Sequence, residues 1–198
     1  MEDKVKFSEN VMLIDVAFLN EIVYNAKKVL SSKLGRELPD IDFPTWLSYL
    51  ALDAGLREGD NEIQVLLVRD GGSGELNCCI PSDLDKLNGM ACRTPLGELM
   101  FASVSAEGIV SCEQLYLDLM NLALDAAEVN RLMLIPFHPL YADKVEEALR
   151  KFFKGKNEKE CSKAIYFALE KPLKPVFCSC DSIIYSIARA FGIKSDEL

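Results

Sequence analysis

The sequence is poor in the group that most often moves protons near neutral pH: it contains a single histidine, His138. No carboxylate adjoins it in sequence to orient the imidazole, so a structural place at a strand end competes with a role as acid–base group or ligand. Long apolar runs are also missing. The longest, such as Val65 to Val68 and Leu132 to Phe137, fall far short of the roughly 20 residues a membrane-crossing helix needs, so no membrane association is expected. Met1 to Asn10 mixes acids and lysines and has neither an apolar segment nor a small-residue cleavage site, which predicts a cytoplasmic protein. The closing residues Ser195, Asp196, Glu197 and Leu198 approximate an ER-retention tail, an address without meaning for such a chain.

Internal repeats, heptads and linkers rich in proline, glycine or serine are absent as well, and residues 1–198 are read as one domain. With 49% apolar and 27% charged residues the composition excludes a disordered or collagen-like chain. Basic residues are outnumbered, 22 against 31, and the net charge of −9 repels phosphate backbones unless cations gather on one face. The seven cysteines, an odd number lying within apolar runs, are expected as free thiols.

What is present is an alternation of strand and helix patterns. Val11 to Val16 reads as a strand feeding a helix over Ala17 to Lys33, with Leu19, Ile22, Val23, Ala26 and Leu30 at helical spacing. A second helix starts near Pro44 with Asp42 as cap and ends near Gly55 or Gly59. Strands follow at Glu62 to Arg69, Glu75 to Ile80 and Glu98 to Val104. Glu113 to Ala127 is a helix with Leu115, Leu119, Leu122, Ala123 and Ala126 on its apolar stripe. After it come a strand at Arg131 to Phe137, a helix at Tyr141 to Phe153 and strands at Ala164 to Leu169 and Pro175 to Cys180. Asp181 is expected to cap a final helix that runs through Ile184, Ile187, Ala188 and Phe191 to Gly192. This pattern predicts a three-layer α/β/α fold with a mostly parallel central sheet and a ligand site at the carboxyl ends of its strands.

Several constellations have both a chemical and a structural reading. Gly71-Gly72-Ser73-Gly74 lacks the Lys-Ser/Thr and helix of a phosphate-binding loop and reads as a turn. Cys178 and Cys180, with Cys161 or Cys78 and Cys79, lack paired C-x-x-C spacing and read as core packing before zinc ligands. Arg150, Lys151, Lys154, Lys156, Lys159 and Lys163, with Phe152 and Phe153 interleaved, form the basic concentration of the chain. RNA could contact it, or the cations could complement a helix C-terminus. Asp15 ends the first strand and Asp118 lies one turn inside a later helix, and acids presented at strand ends can hold Mg²⁺ or Mn²⁺ for phosphodiester cleavage.

Met12-Leu13-Ile14-Asp15, the run Gly108 to Leu124 with Asp118, and Arg131-Leu132-Met133-Leu134-Ile135 resemble the core of PIN-like nucleases, particularly the NYN branch, over Asn10 to Phe153. The resemblance implies Asp15 as a metal ligand, Asp118 as an assisting acid, and an acid near the start of that helix, where Glu113 or Cys112 stands. It also implies Mg or Mn as cofactor. The chain departs from the pattern elsewhere: Phe18 stands where the branch has an asparagine, the nearest being Asn20, and His138 and Leu140 stand where two further aspartates are typical. The resulting expectation is a PIN/NYN-like domain that has lost most of its metal cage and binds RNA or a protein, with His138, Lys151, Lys154 and Lys156 as contact candidates. The alternative is a metal-dependent endoribonuclease using Asp15, Asp118 and Glu113. A homo-oligomer is compatible with either.

Overall fold

A computed structural model describes residues 6–72, 74–194 and 197. The chain opens with β1 (Asn10–Asp15), whose six residues are all buried, and turns directly into α1 (Val16–Leu34). Asp15 makes that turn, its side chain accepting a hydrogen bond from the Phe18 N–H, and Gly35 ends the helix in a left-handed conformation. A short β2 (Ile41–Asp42) leads to α2 (Phe43–Asp53), where Asp42 caps by accepting from Thr45 N and Pro44 occupies the first turn. Next come β3 (Asn61–Arg69), β4 (Cys79–Ile80), α3 (Leu84–Leu87), β5 (Ala91–Thr94) and β6 (Gly97–Ser105). The second half holds α4 (Cys112–Asp125), β7 (Arg131–Ile135), α5 (His138–Phe153), α6 (Glu158–Cys161), β8 (Ala164–Ala168), β9 (Ser179–Ser182) and α7 (Ile183–Ala190).

Seven strands form one sheet in the order β5-β6-β3-β1-β7-β8-β9, parallel except for the β5–β6 hairpin. The parallel strands, counted along the chain, lie in the order 3-2-1-4-5-6. This is the doubly wound arrangement, in which the chain starts at the middle and builds outward in both directions. Alternate strand residues feed two apolar clusters. Met12, Ile14, Val65, Leu67, Met133 and Phe167 face α1, α2 and α7, while Val11, Leu13, Leu66, Leu132, Leu134 and Tyr166 face α4 and α5. The three-layer α/β/α arrangement with a mostly parallel sheet is therefore present. Trp46, fully buried, binds the first layer together by donating its indole N–H to Ser186 Oγ at 3.1 Å, from α2 to α7.

The middle and the end of the chain depart from the sequence expectation. Glu75 to Ile80 is not one strand: Cys79 and Ile80 alone pair, with β2, in a separate two-stranded sheet, and Glu75 bridges to Asp83. β5 was not anticipated, because its four residues alternate between exposed and half-buried and carry no apolar run. The last strand lies at Ser179–Ser182 and not at Pro175 to Cys180, so Asp181 belongs to the sheet, Ser182 begins α7, and Asp181 Oδ1 merely accepts from the Ser182 N–H. Ile184, expected on the buried stripe of that helix, is partly exposed while Ile183 and Ser186 face inward. Cys180 is exposed and Cys178 half-buried, so only Cys79 of the seven free cysteines fits the core-packing expectation fully. On α4 the inward stripe is Tyr116, Met120, Ala123 and Leu124, while Leu122 is half exposed. Leucines surround this helix, and the face is decided by Tyr116, whose hydroxyl donates to the Leu13 carbonyl at 3.0 Å.

Gly97 sets the register between β3 and β6. Its φ is +133°, and a Cβ there would lie 2.1 Å from the Asn61 carbonyl oxygen and 2.6 Å from its nitrogen. Backbone is the obstacle, so no rotamer change relieves it. Gly97→Ala is expected to destabilise the fold by about 3 kcal/mol or more, read as a lowered midpoint in urea.

Candidate functional site

In a doubly wound sheet the helices on either side of the point where strand order reverses leave the sheet in opposite directions, which opens a crevice beyond the carboxyl ends. Here that point lies between β1 and β7. β1 reaches one residue further than its neighbour: Ile14 pairs with Ile135, the last residue of β7, while Asp15 pairs only with Val68 of β3. Asp15 therefore stands at the crevice, as the sequence places it.

Its carboxylate is not open to a ligand. Asp15 is 2% exposed, Oδ1 accepts from the Phe18 N–H at 2.9 Å, and Oδ2 accepts from the Tyr141 hydroxyl at 2.6 Å. Burial raises its pKa above the ordinary carboxylate value of 3.8, and the Asp70 carboxylate at the end of β3 adds to the rise; the donors Tyr141, Phe18 and Ala17 oppose it. Tyr141 reaches Asp15 because it leaves helical geometry, with φ −146° and ψ 21°, kinking α5 one turn from its start. The helix expected to begin at Tyr141 thus begins regularly only after it. Beyond the kink, Tyr141, Val145, Leu149 and Phe153 recur every four residues and bury one stripe.

The other acids of the expected cage lie apart. Glu113, in the first turn of α4, is ion-paired with Lys144 of α5. Asp118 is exposed and accepts a hydrogen bond from Gln114 Nε2 at 2.8 Å, a neighbour one turn away. Among the described residues no three histidine, cysteine, aspartate or glutamate side chains are gathered in a way that would hold a metal ion. Cys112, the alternative to Glu113, is a half-buried thiol whose pKa is pushed up to about 11, first by burial and then by Asp15 and Asp70.

His138 sits on the other side of the crevice, its ring 4.7 Å from that of Phe18 and 5.3 Å from that of Tyr166. Both ring nitrogens are shielded from solvent and neither meets hydrogen-bond geometry with a protein partner, although the carbonyls of Phe167 and Pro136 lie nearby. Burial pulls its pKa from 6.5 down to about 4, so the imidazole is neutral at physiological pH. A row of rings thus crosses the carboxyl edge of the sheet: Tyr116 and Tyr141 at 5.5 Å on one side of Asp15, then Phe18, His138 and Tyr166.

Half of the basic concentration is engaged in structure. Lys163 Nζ donates to the Leu124 and Ala126 carbonyls at 2.7 and 2.6 Å, at the C-terminal end of α4. Arg150 lies 3.5 Å from Glu146, and Lys156 rests over the Phe152 ring, 3.1 Å from its centroid. Lys151 and Lys154 are exposed. Gly71 and Gly72 form a turn in which the Gly72 N–H meets Asp70 Oδ1 at 3.3 Å; Ser73 lies outside the described residues.

Tyr141 and Tyr166 were missed by sequence reasoning. A tyrosine in the apolar run Ala164–Ala168 does signal a hydroxyl in need of a partner, whereas nothing in the sequence joins Tyr141 to an acid 126 residues earlier.

Two outcomes follow. Asp15→Ala removes a helix cap and strands the Tyr141 hydroxyl, and is expected to cost about 2–4 kcal/mol in urea unfolding. Asp15→Asn keeps an oxygen to accept from the Phe18 N–H and replaces the other by an NH2 that can donate to the Tyr141 oxygen once the hydroxyl turns, and should stay within about 1 kcal/mol of wild type. Because the folded-state pKa of Asp15 is raised, the folded chain binds the proton more tightly than the unfolded one. Wild type should therefore lose stability relative to Asp15→Asn as pH rises from 3.8 through the raised value. His138 has the opposite linkage: its folded pKa is depressed, so stability is lost as pH falls from 6.5 to about 4, by roughly 3 kcal/mol. With one histidine in the chain, the imidazole proton resonance reports this directly and should stay at its neutral position from pH 8 down to about pH 5.5, roughly 1.5 units above the depressed pKa.

No curated protein and no solved structure matches the chain significantly. One family model does, over residues 4–198, and its description is a family of unknown function, DUF6621. The chain belongs to that family.

Proposed function

We propose that the chain is a divergent PIN/NYN-like domain that no longer cleaves nucleic acid and works as a binding module, with a protein as its partner. The observation that carries this reading is the state of Asp15. The acid in the position of a metal ligand has both oxygens occupied by protein donors and is buried, and burial raises its pKa. A divalent cation needs the opposite, ionised oxygens free to converge.

RNA, the other partner considered, fits less well. The net charge is −9, and Lys163, Arg150 and Lys156 make contacts within the fold, leaving Lys151, Lys154 and Lys159 as exposed cations of the group. Phosphate-backbone binding needs more positive charge on one face than this. The carboxyl edge instead presents apolar side chains: Ile109 and Val110 in the loop after β6, Leu140 in the first turn of α5 and Leu173 in the loop after β8.

The test is incubation of purified protein with labelled single-stranded RNA and Mn²⁺ or Mg²⁺, beside Asp15→Asn. The expected result is no metal-dependent cleavage and no RNA retention at physiological ionic strength. Cleavage abolished by Asp15→Asn would establish the ribonuclease and overturn the reading. Retention of RNA lost on substituting Lys151 and Lys154 would move the partner from protein to RNA.

A further inference from the structure

Between the outer flank of α2 and the β5–β6 hairpin a cavity of about 430 Å³ lies open to solvent along one side. Trp46, Leu47 and Leu50 carry the inward stripe of α2 into the core, which leaves the adjoining flank standing off the edge strand. The lining follows that flank from Pro44 to Leu52, eight residues and so about 12 Å of helix. Its walls are mostly apolar: Pro44, Tyr49 and Leu52 on the helix side, and Cys92, Pro95 and Leu96 on the hairpin side. Two of the hydroxyls in the lining are taken, Ser48 donating to the Pro44 carbonyl at 2.9 Å and Thr94 to the Gly97 carbonyl at 3.1 Å.

A carboxylate stands toward each end of this passage. Asp42 precedes α2, and Glu58 follows it beside the hairpin turn, where the Gly59 N–H donates to the Pro95 carbonyl at 3.3 Å. Both acids are exposed, and among the described residues neither is ion-paired. Asp42 uses Oδ1 to accept from the Thr45 N–H and leaves Oδ2 open. The nearby cations are already matched: Arg93 pairs with Asp60 at 2.6 Å, and Arg189, 4.1 Å over the Tyr49 ring, lies near Asp53. An anion therefore finds no partner here, whereas acids at both ends of an apolar passage complement a ligand charged at both ends and apolar between. We infer that this cavity binds a linear aliphatic polyamine, its terminal ammonium groups at Asp42 and Glu58 and its methylene segments along the apolar walls. An inner ammonium stays hydrated on the open side, and the net charge of −9 draws such a cation toward the chain. The partner protein proposed above is not required for this site, and either reading can fail without the other.

The test is calorimetric titration of the full chain at physiological ionic strength with spermidine and octamethylenediamine. Two controls run beside them: putrescine, too short to reach both acids, and octylamine, charged at one end. The expected result is one saturable site for the long amines, with each control weaker by about threefold or more, the worth of one exposed ion pair. Asp42→Asn keeps the helix cap, Glu58→Gln alters an exposed side chain, and each should weaken spermidine about threefold, the two together about tenfold. Glu147→Gln, an exposed acid on α5, should leave the affinity unchanged. Bound spermidine should also slow alkylation of Cys92, read by peptide mapping, because that thiol lines the cavity. Absence of saturable binding would overturn the inference. Equal weakening by Glu147→Gln would do the same, since it would mean diffuse attraction to an acidic surface, as would an unchanged alkylation rate at Cys92.

Discussion

A carboxylate taken out of water must have its oxygens filled by donors or its charge removed, and in this chain that requirement falls on Asp15 at the centre of the sheet. The solution links three elements. The strand β1 delivers the side chain, the first turn of α1 supplies a backbone N–H, and α5, from the opposite layer, bends to bring in the Tyr141 hydroxyl. Because α1 and α5 cover opposite faces of the sheet, this one acid fastens the two outer layers at the point where strand order reverses. The kink in α5 follows from it, and so does the placement of His138 on the turn before the kink, against Phe18 and Tyr166.

The same contact shows why an acid at the carboxyl end of a strand need not be a metal ligand. Metal ligation and structural capping call on the same carboxylate oxygens, and a tyrosine donor competes for one of them. Glu113 is similarly satisfied by Lys144, a cation on the neighbouring helix. Each acid has found a protein partner, so the charge that a cage would concentrate is dispersed over separate pairs.

Periodicity was informative where burial is complete. The runs of β1, β3, β7 and β8, and the stripe of α1, follow directly from apolar spacing, because both faces of the central strands are covered. It failed where the chain is short, half exposed or held by long-range contacts. β5 and β9 are edge strands of four residues with polar sequences, and α4 carries leucine on several sides, so only the Tyr116 hydroxyl bond to Leu13 reveals its inner face. Of the site, Asp15 was legible because it lies at a strand-to-helix junction. Its protection by Tyr141 was not, since a contact spanning 126 residues leaves no mark on local pattern. His138 was noticed for its rarity, but its environment depends on Phe18 and Tyr166, brought from other strands and helices.

The two edge strands have a further consequence for how copies of the chain can meet. β9 ends the sheet on one side with Ser179, Cys180, Asp181 and Ser182, and β5 ends it on the other as an antiparallel strand bearing Arg93 and Thr94. Short, polar borders of this kind are poor templates for strand addition. A long sheet running through several molecules is thereby disfavoured, and the chain can keep a broad, aliphatic interior without offering it as the seed of a fibre. Any homo-oligomer would have to be assembled through helices and loops.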